Sequence, residues 1–334
     1  MSLDPQSPQH DLLMQGRAGS GVTAFELGFE GHRFEDGIVN ETYRIDSPDG
    51  PTVLKVYHPK NRAHAEKEAS VLLALQRSVA VPRPLAWGDG IVQGRTALQM
   101  DYWPHPNARL LRRQLADSFF ASAAETLGRI HTDKAARDVW PMLADWSQRH
   151  LGTKCVQPFE QFCRQVEGWL QKLQQEGADS ANLLSVLLSR MLNHQRFFPA
   201  AAGTLVHGDY SLPNLLTDGR TVLAVIDFES TTISDPSWDL HNFGQTILDT
   251  GFSGAIADAF LATYDKAFGL PAFFEERRNF YRYYKGFQLA MRHRYRARLG
   301  NQPAEASDPK LDRLLTGLLE YSDAWLSSKE RGVL

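Results

Sequence analysis

The chain has 334 residues, of which 43% are hydrophobic and 22% are charged, and its formal net charge is -3. This composition is typical of a globular protein with room for two domains. The weak negative charge argues against nucleic acid or an anionic membrane as the main partner. No apolar run reaches the ~18 residues that are needed to span a bilayer.

The start of the chain and the cysteine content favour a cytoplasmic location. The first residues, MSLDPQSPQHDLL, lack the cationic segment and the apolar core of a signal peptide. The two cysteines, Cys155 and Cys163, are too few for a disulfide framework, and their spacing matches no zinc signature. We therefore expect a protein of a reducing, cytoplasmic compartment.

The first part of the chain predicts a small β-rich lobe. Residues 1–20 are polar and rich in Pro, Gln and Gly, which indicates a flexible N-terminal arm, and we expect the lobe to cover residues 21–103. In NETYRI, Tyr43 and Ile45 share one face of a strand. The turn residues DSPDGP then lead into TVLKVYH, which is β-rich, so the sequence predicts a hairpin.

A helix and a further strand complete the predicted lobe. AHAEKEASVLLALQRS has helical periodicity, and VPRPLAWGDG ends it because proline cannot continue a helix. GRTALQMDYW is then expected to be the last, buried strand. The predicted apolar stripe of the helix runs through Ala65, Ala69, Leu72, Leu73 and Gln76.

Residues 104–334 predict a larger, mainly helical lobe. PHPNAR is a plausible linker, and amphipathic stretches follow near 159–176, 181–197, 274–299 and 310–326, besides LADSFFASAAETLGRIH and IADAFLATYDKAF. Two short β-like pieces interrupt them within 204–229. The predicted fold class is α+β, and the cleft between the two lobes is where small-molecule sites usually form.

Three polar side chains stand close together in that interruption. HGDYSLPNLL contains Asp209 and Asn214 five positions apart, and Asp227 follows the apolar run VLAVI. Phosphoryl transfer requires a group that orients a hydroxyl and a Mg²⁺ ion that bridges phosphate oxygens. Carboxylate and amide oxygens are hard ligands that suit Mg²⁺. These side chains therefore predict a base, Asp209, and two metal ligands, Asn214 and Asp227.

A purely structural interpretation is also available, because Asp and Asn stabilise turns in many proteins. A lone D-x-x-x-x-N occurs frequently by chance. The functional interpretation is favoured because HGD, the asparagine and the strand-terminal VIDFE occur together at short range.

HGDYSLPNLL followed by VIDFE, with DPSWDL downstream, resembles the aminoglycoside phosphotransferase and choline kinase superfamily of protein-kinase-like small-molecule kinases. The resemblance implies a bilobal protein-kinase-like fold, with ATP and Mg²⁺ as cofactors. It implies that Asp209 accepts the proton of the acceptor hydroxyl and that Asn214 and Asp227 hold Mg²⁺. His207 would be a structural loop residue, and Asp239 would brace the loop by bonding its amides from the next helix.

Gly208 occupies the position where protein kinases have the arginine of H-R-D. That arginine often contacts an activating phosphate, so its absence indicates an enzyme that needs no activation-loop phosphorylation. The superfamily that the chain resembles shares this property.

The small lobe must then supply a cation for the phosphates and a glutamate to hold it. Lys55 lies centrally in TVLKVY, and KEASVL places its partner at Glu68, with Glu66 as the reserve choice. An unpaired buried lysine would be costly, which favours such a pair. The alternative is an edge lysine that points to water.

The remaining nucleotide contacts follow from the resemblance. The chain has no G-x-x-x-x-G-K-[ST], which argues against a P-loop NTPase. The polar turn at Asn40 and Thr42 would instead present backbone amides to the β- and γ-phosphates. The segment containing Gln99, Asp101 and Tyr102 would bond adenine through its backbone.

The chemical identity of the acceptor molecule is less constrained by the sequence. A cationic acceptor would be favoured by the acidic residues Glu229, Asp235 and Asp249. An anionic or aromatic acceptor would instead be favoured by the Arg- and Tyr-rich helix near 277–299. The structural alternative for this helix is an ordinary aromatic core stripe with a solvated basic face. Three hypotheses stay open: a kinase for a small hydroxyl compound such as an antibiotic, amino alcohol or sugar, a Ser/Thr protein kinase, and a non-catalytic nucleotide-binding scaffold. We expect a monomer or homodimer.

Overall fold

A computed structural model describes most of the chain. The described residues are 31–34, 40–92, 94–134, 138–151, 158–178, 180–198, 203–299, 312–313 and 315–320. The predicted N-terminal arm at 1–20 and most of the predicted 310–326 helix lie outside them, although residues 315–320 are helical.

Five antiparallel strands form the main sheet. They are β1 (His32–Arg33), β2 (Glu41–Ile45), β3 (Thr52–Val56), β4 (Pro84–Val92) and β5 (Arg95–Asp101), in the order β1-β2-β3-β5-β4. The predicted hairpin is confirmed, with Tyr43 opposite Leu54 in the β2–β3 register. These two side chains enter the core on one face of the sheet, together with Val56 and Ala97.

Strand β4 was not predicted, because the prolines after the helix indicated only a stop. Pro84 is the first residue of β4, and β4 is the outer strand of the sheet. A proline at this position removes no ladder hydrogen bond on a free edge. The register shifts between Pro84 and Ala86 and again between Asp89 and Val92, so an edge strand with bulges accommodates a sequence that lacks regular alternation.

Helix α1 (His64–Leu75) packs against β4 and β5. Ala65, Ala69 and Leu72 of the predicted stripe are buried, as are Val71 and Leu75. The prediction was wrong for Leu73 and Gln76, which are exposed. The buried side of α1 instead includes two charged residues, Lys67 and Glu68.

The rest of the described chain is mainly helical. Its helices are α2 (Asp117–Thr132), α3 (Trp140–Leu151), α4 (Pro158–Gln175), α5 (Ser180–Leu192), α6 (Ser237–Asp249), α7 (Gly254–Phe268) and α8 (Phe274–Leu299). Within the described residues, no helix is both long enough and apolar enough to cross a membrane.

Two small sheets interrupt the helices and carry the HGDYSLPNLL segment. Strand β6 (Thr204–Val206) pairs with β9 (Thr232–Ser234), and β7 (Leu215–Thr217) pairs with β8 (Val222–Val225), both antiparallel. Residues 207–214 therefore connect β6 to β7, and residues 226–231 connect β8 to β9. The nested pairing brings these two connections to the same end of the small sheets.

Two compact units divide the chain. The first contains Met1–Val156 and Gly203–Leu270, and the second contains Gln157–Ala202 and Pro271–Leu334. The sheet, α1 and both small sheets all belong to the first unit. The predicted boundary between residues 103 and 104 falls inside this unit and remains a prediction.

Gly128 of α2 tests how closely the helices of the first unit pack. A Cβ built on Gly128 would lie 2.1 Å from the ring of Phe268, whereas a Cβ on Gly244 of α6 meets nothing within 4 Å. We expect Gly128→Ala to lower the free energy of unfolding by roughly 1–3 kcal/mol, because the ring must shift. Gly244→Ala, the matched control, should raise it by up to ~1 kcal/mol through helix propensity. Urea unfolding measures both, and a stabilising Gly128→Ala would contradict the packing.

Candidate active site

A cavity of about 260 Å³ lies in the first unit, between the main sheet and the connections that flank β7 and β8. Its walls come from three places along the chain. The sheet contributes Thr42, Val53, Lys55 and Met100, the segment after β5 contributes Asp101, Tyr102, Trp103, His105, Pro106 and Asn107, and the small-sheet region contributes Pro213, Asn214, Leu216, Ile226 and Asp227. Thr42 and Met100 reach the cavity because they lie opposite Lys55 and Val53 in adjacent strands.

Lys55 is buried, and its ammonium contacts three carboxylates. The Nζ atom lies 2.8 Å from Glu68 Oε2, 2.5 Å from Asp227 Oδ1 and 3.0 Å from Glu229 Oε2. Burial alone would lower the pKa of Lys55, but the charges of Asp227 and Glu68 outweigh it and hold the pKa well above its ordinary value. Lys55 is therefore a permanent cation at the cavity wall.

Glu68 holds this lysine from α1. The side chain of Glu68 is 1% exposed, and it also accepts hydrogen bonds from Tyr57 Oη at 2.6 Å and from the backbone N–H of Phe228 at 3.1 Å. Glu66, the reserve choice, is exposed. Glu68 thus links β3, α1 and the connection after β8. Its buried carboxylate charge is compensated by several hydrogen-bond donors.

Asp227 follows β8 in the left-handed region, with φ 66° and ψ 61°. A non-glycine residue adopts this backbone at a cost and is typical of functional turns. Burial raises the pKa of Asp227, but the Lys55 charge and hydrogen bond prevail, and the net pKa is lowered. For Glu229, burial prevails and raises the pKa. Asp227 is therefore the more strongly ionised of the two carboxylates that face Lys55 from this turn.

Asp209 and Asn214 are joined within their own loop. The Asn214 Nδ2 group donates to the Asp209 carbonyl at 2.9 Å and to Asp209 Oδ2 at 3.2 Å. Because both partners are acceptors, this contact orients the amide nitrogen toward Asp209 and the amide oxygen away from it. The Asp209 residue is exposed, whereas Asn214 is buried and lines the cavity.

His207 is fully buried and makes two ring contacts with the backbone. Its Nε2 lies 3.0 Å from the Ile226 carbonyl, and its Nδ1 accepts from the Asp209 N–H at 3.2 Å. An accepting Nδ1 and a donating Nε2 correspond to the neutral ring. His207 thus connects the loop of Asp209 to the strand end that precedes Asp227.

Asp239, in the first turn of α6, is also fully buried. Its Oδ2 accepts from the His207 N–H at 2.7 Å, and its Oδ1 accepts from the Gly208 N–H at 2.9 Å. His131 Nε2 lies 3.2 Å from the same carboxylate, and Tyr264 Oη lies 2.9 Å from His131 Nδ1. The sequence did not indicate His131 or Tyr264, because their partners are more than a hundred residues away along the chain.

Gly208 allows the loop to pass close to its neighbour. Its φ is +84°, and a Cβ there would lie 2.4 Å from the Ser230 carbonyl oxygen, so a side chain is excluded by both conformation and space. The Trp238 indole N–H donates to the Gly208 carbonyl at 3.0 Å. The backbone N–H and the carbonyl of Gly208 are therefore both hydrogen-bonded to side chains of α6.

The other predicted nucleotide residues divide into two groups. Thr42, Asp101 and Tyr102 line the cavity. Asn40 is buried and uses its side chain inside the protein, donating to Glu229 Oε2 and accepting from the His58 N–H at 3.0 Å. Gln99 is not among the lining residues and donates to Thr52 Oγ1 at 3.1 Å.

The three acidic residues considered for acceptor binding lie in different surroundings. Glu229 belongs to the Lys55 cluster. Asp235 is buried and accepts from the Ser237 N–H at 3.1 Å. Asp249 is exposed and accepts from Gln245 at 2.7 Å. They therefore do not form one acidic wall.

The donor set at the cavity fits a divalent cation of the hard class. One carboxylate oxygen each of Glu68, Asp227 and Glu229 lies within 4.8 Å of the others, and the Asn214 amide oxygen is turned away from Asp209. Oxygen ligands of this kind suit Mg²⁺. The Lys55 ammonium contacts all three carboxylates, so metal and lysine would share this group of oxygens.

Lys67 of α1 is a second buried cation, besides Lys55 of β3, and it directly precedes Glu68 in the chain. Its Nζ donates to the Thr231 carbonyl at 3.1 Å and lies 4.0 Å from the centroid of the Trp146 ring. Burial lowers the pKa of Lys67 to about 8. A carbonyl and an aromatic face compensate the charge only in part.

Replacing Glu68 tests the buried pair. Glu68→Gln removes the charge nearest to Lys55 on α1, and we expect the free energy of unfolding to fall by about 3 kcal/mol. Glu66→Gln on the same helix should change it by under about 1 kcal/mol, since only an exposed charge in the first turn is lost. Urea unfolding of both variants measures the difference, and equal effects would contradict the assignment of Glu68 as the partner.

Lys67 predicts a specific pH dependence of stability. Its pKa is about 8 in the folded chain and near 10.5 when unfolded, so the unfolded chain binds more protons between these values. The free energy of unfolding should therefore rise by roughly 2–4 kcal/mol between pH 8 and 10.5. Lys67→Met should lack this rise, whereas Lys266→Met, which replaces an exposed lysine, should keep it. The free energy of unfolding is measured with urea between pH 8 and 10.5, and each variant is compared with wild type. The same rise with pH in Lys67→Met as in wild type would refute the prediction.

Comparison with known proteins adds independent information. The model of the phosphotransferase enzyme family matches residues 30–278. The chain is 28% identical over 223 residues, or 62% of its length, to acyl-CoA dehydrogenase family member 10 of Mus musculus. It spans only 19% of that protein.

Three solved structures share the fold. A candidate aminoglycoside phosphotransferase from Ralstonia eutropha JMP134 has a TM-score of 0.63 at 17% identity, covering 94% of this chain and 97% of that one. Macrolide 2′-phosphotransferase MphH from Brachybacterium faecium has a TM-score of 0.54 at 15% identity, with 86% and 96% covered. Spectinomycin phosphotransferase, solved with ADP and spectinomycin, has a TM-score of 0.52 at 11% identity, with 87% and 90% covered.

The predicted α+β protein-kinase-like fold is confirmed by these structures, and the predicted superfamily by the family model together with them. The family match extends over well over half of the sequence and includes every residue of the site described above. This chain belongs to the phosphotransferase enzyme family.

Proposed function

We propose that this protein is an ATP- and Mg²⁺-dependent phosphotransferase that moves the γ-phosphate of the nucleotide to a hydroxyl group of a small molecule. The observation that carries the proposal is the convergence on one cavity of Lys55 of the main sheet with Asn214 and Asp227, which lie more than 150 positions later in the chain, together with the bond between Asn214 and Asp209. Family membership supports the reaction class.

Lys55 supplies the fixed positive charge that nucleotide phosphates need. Its ammonium is already held on Glu68, so little side-chain freedom is lost when an anion binds. Because its pKa is raised, it stays charged throughout the neutral range. The backbone around Asn40 and Thr42 would face the phosphates, and the segment at Gln99, Asp101 and Tyr102 would hold the base.

Asp209 is the proposed general base. Its exposed carboxylate is oriented by the Asn214 amide, and its backbone N–H is fixed by His207. A carboxylate held in this way accepts the hydroxyl proton as the oxygen attacks phosphorus. His207 and Asp239 act as positioning residues, since their polar atoms are engaged with the loop backbone.

Asn214 and Asp227 would hold Mg²⁺. A bound Mg²⁺ neutralises charge on the phosphate oxygens and orients them. Asn214 presents its amide oxygen because its nitrogen bonds Asp209, and Asp227 projects from the strained turn after β8. The lowered pKa of Asp227 keeps this carboxylate ionised for the task.

The acceptor is proposed to be a small molecule of the antibiotic, amino alcohol or sugar type. Two of the structurally similar proteins are named for macrolides and spectinomycin, which are hydroxyl-bearing small molecules. The proposed enzyme acts as a monomer or homodimer in the cytoplasm.

Asp209→Asn tests the proposed base. We expect phosphoryl transfer to fall by about 10²-fold or more, because a neutral amide cannot accept the proton, while nucleotide binding stays at the wild-type level. Asp258→Asn, an exposed aspartate on α7, is the control and should keep full activity. The measurement is ADP release with a panel of hydroxyl compounds, together with calorimetric titration of ATP·Mg²⁺.

Two outcomes would contradict the proposal. Full activity of Asp209→Asn would show that another group is the base. Transfer of labelled phosphate to a protein acceptor such as casein, with no small molecule accepted, would favour the protein kinase alternative.

A further inference from the structure

A second cavity, of about 590 Å³, lies on the surface of the first unit. One wall is the turn that carries Arg109, Arg112 and Arg113, with Leu115 beside them. The opposite wall is the connection between α6 and α7, which contributes Asp249 and Phe252 among others. Apart from Asp249, every charged lining residue is an arginine, although the whole chain has a net charge of -3.

Arg109 lies three positions before Arg112 and four before Arg113, in a segment of consecutive turns. Like charges that line one cavity repel one another, which disfavours the folded arrangement unless a ligand of opposite charge is bound. All three are exposed and line the same cavity. An arrangement that opposes folding locally is typical of a functional site.

No carboxylate neutralises these side chains within the part of the chain that the structure describes. None of the described ion pairs includes Arg109, Arg112 or Arg113. Asp249, the acidic residue on the rim, accepts a hydrogen bond from Gln245. Three exposed arginines therefore line the cavity without an ion-pair partner among the described residues.

The backbone that presents the arginines is fixed at both ends. The Ala108 N–H donates to the Leu215 carbonyl at 2.8 Å, and the Ala116 N–H donates to the Gly219 carbonyl at 2.9 Å. Between them Leu111 is 2% exposed and anchors the turn in the core. Because the turn is already ordered, binding of a ligand would order only the arginine side chains.

We propose that this cavity, the arginine cavity, binds a small polyanion that carries adjacent phosphate groups. The planar guanidinium donates two parallel N–H bonds to a phosphate, and three of them match a diphosphate better than a single charge. Leu115 and Phe252 offer an apolar surface to the rest of such a ligand. The ligand class is thus an organic diphosphate or inorganic polyphosphate.

The arginine cavity is separate from the proposed active site. None of the three arginines is among the residues that line the cavity of Lys55. Leu110, which stands between Arg109 and Arg112 in the chain, does line that first cavity, so the two sites share one turn. The inference does not depend on the proposed phosphotransfer reaction.

Inorganic pyrophosphate is the first probe, titrated by calorimetry into the full chain without added metal. Two variants are compared with wild type: Arg109→Gln/Arg112→Gln/Arg113→Gln, and the control Arg62→Gln/Arg77→Gln/Arg220→Gln, which removes three exposed arginines elsewhere. Both variants change the net charge equally. We expect pyrophosphate to bind wild type and control alike, and the first variant about tenfold or more weakly.

Equal binding to all three proteins would overturn the proposal, because pyrophosphate would then bind elsewhere, for example at Lys55. Absence of binding to wild type would also overturn it. Geranyl diphosphate is the second probe, and tighter binding than pyrophosphate would identify an organic diphosphate with an apolar part, whereas equal binding would identify the inorganic polyanion. Binding of an oligoglutamate peptide without binding of either diphosphate would contradict a small ligand and indicate an acidic protein partner.

Discussion

The ammonium of Lys55 between the carboxylates of Glu68, Asp227 and Glu229 is the contact on which the candidate site depends. The four groups come from a strand, a helix and a turn, and none can be buried with its charge alone. Their pairing therefore requires β3, α1 and the connection after β8 to be in place together. A fold that pairs the charge of Lys55 with these carboxylates therefore also forms one side of the cavity.

Hydrogen bonds between side chains of α6 and the loop backbone hold the loop of Asp209 in place. Asp239 accepts the N–H groups of His207 and Gly208, and Trp238 donates to the Gly208 carbonyl. Side chains of α6 thus hold a loop that has little regular secondary structure of its own. The exposed Asp209 carboxylate stands on a scaffold whose polar atoms are paired, which is how a reactive group remains oriented while open to solvent.

Sequence reasoning succeeded where one physical signal was strong and local. The β2–β3 hairpin followed from alternation on both sides of a turn-rich segment, and α1 followed from its periodicity. Reasoning failed for β4, where an edge position accommodates Pro84, and for Leu73, which extends the apolar pattern but is exposed. In both cases the neighbouring elements decided the outcome, and a local pattern carries no information about them.

The sequence by itself determined the family, because HGDYSLPNLL and VIDFE are contiguous segments that carry its motifs, and it indicated the candidate site residues within them. Only the tertiary structure decided which distant groups meet: Asn40 with Glu229, 189 positions apart, His131 with Asp239, 108 positions apart, and the turn of Arg109, Arg112 and Arg113 with Asp249 and Phe252 around one cavity. The physical reason is that such contacts depend on how the elements pack, and no local preference along the chain encodes the distance between them.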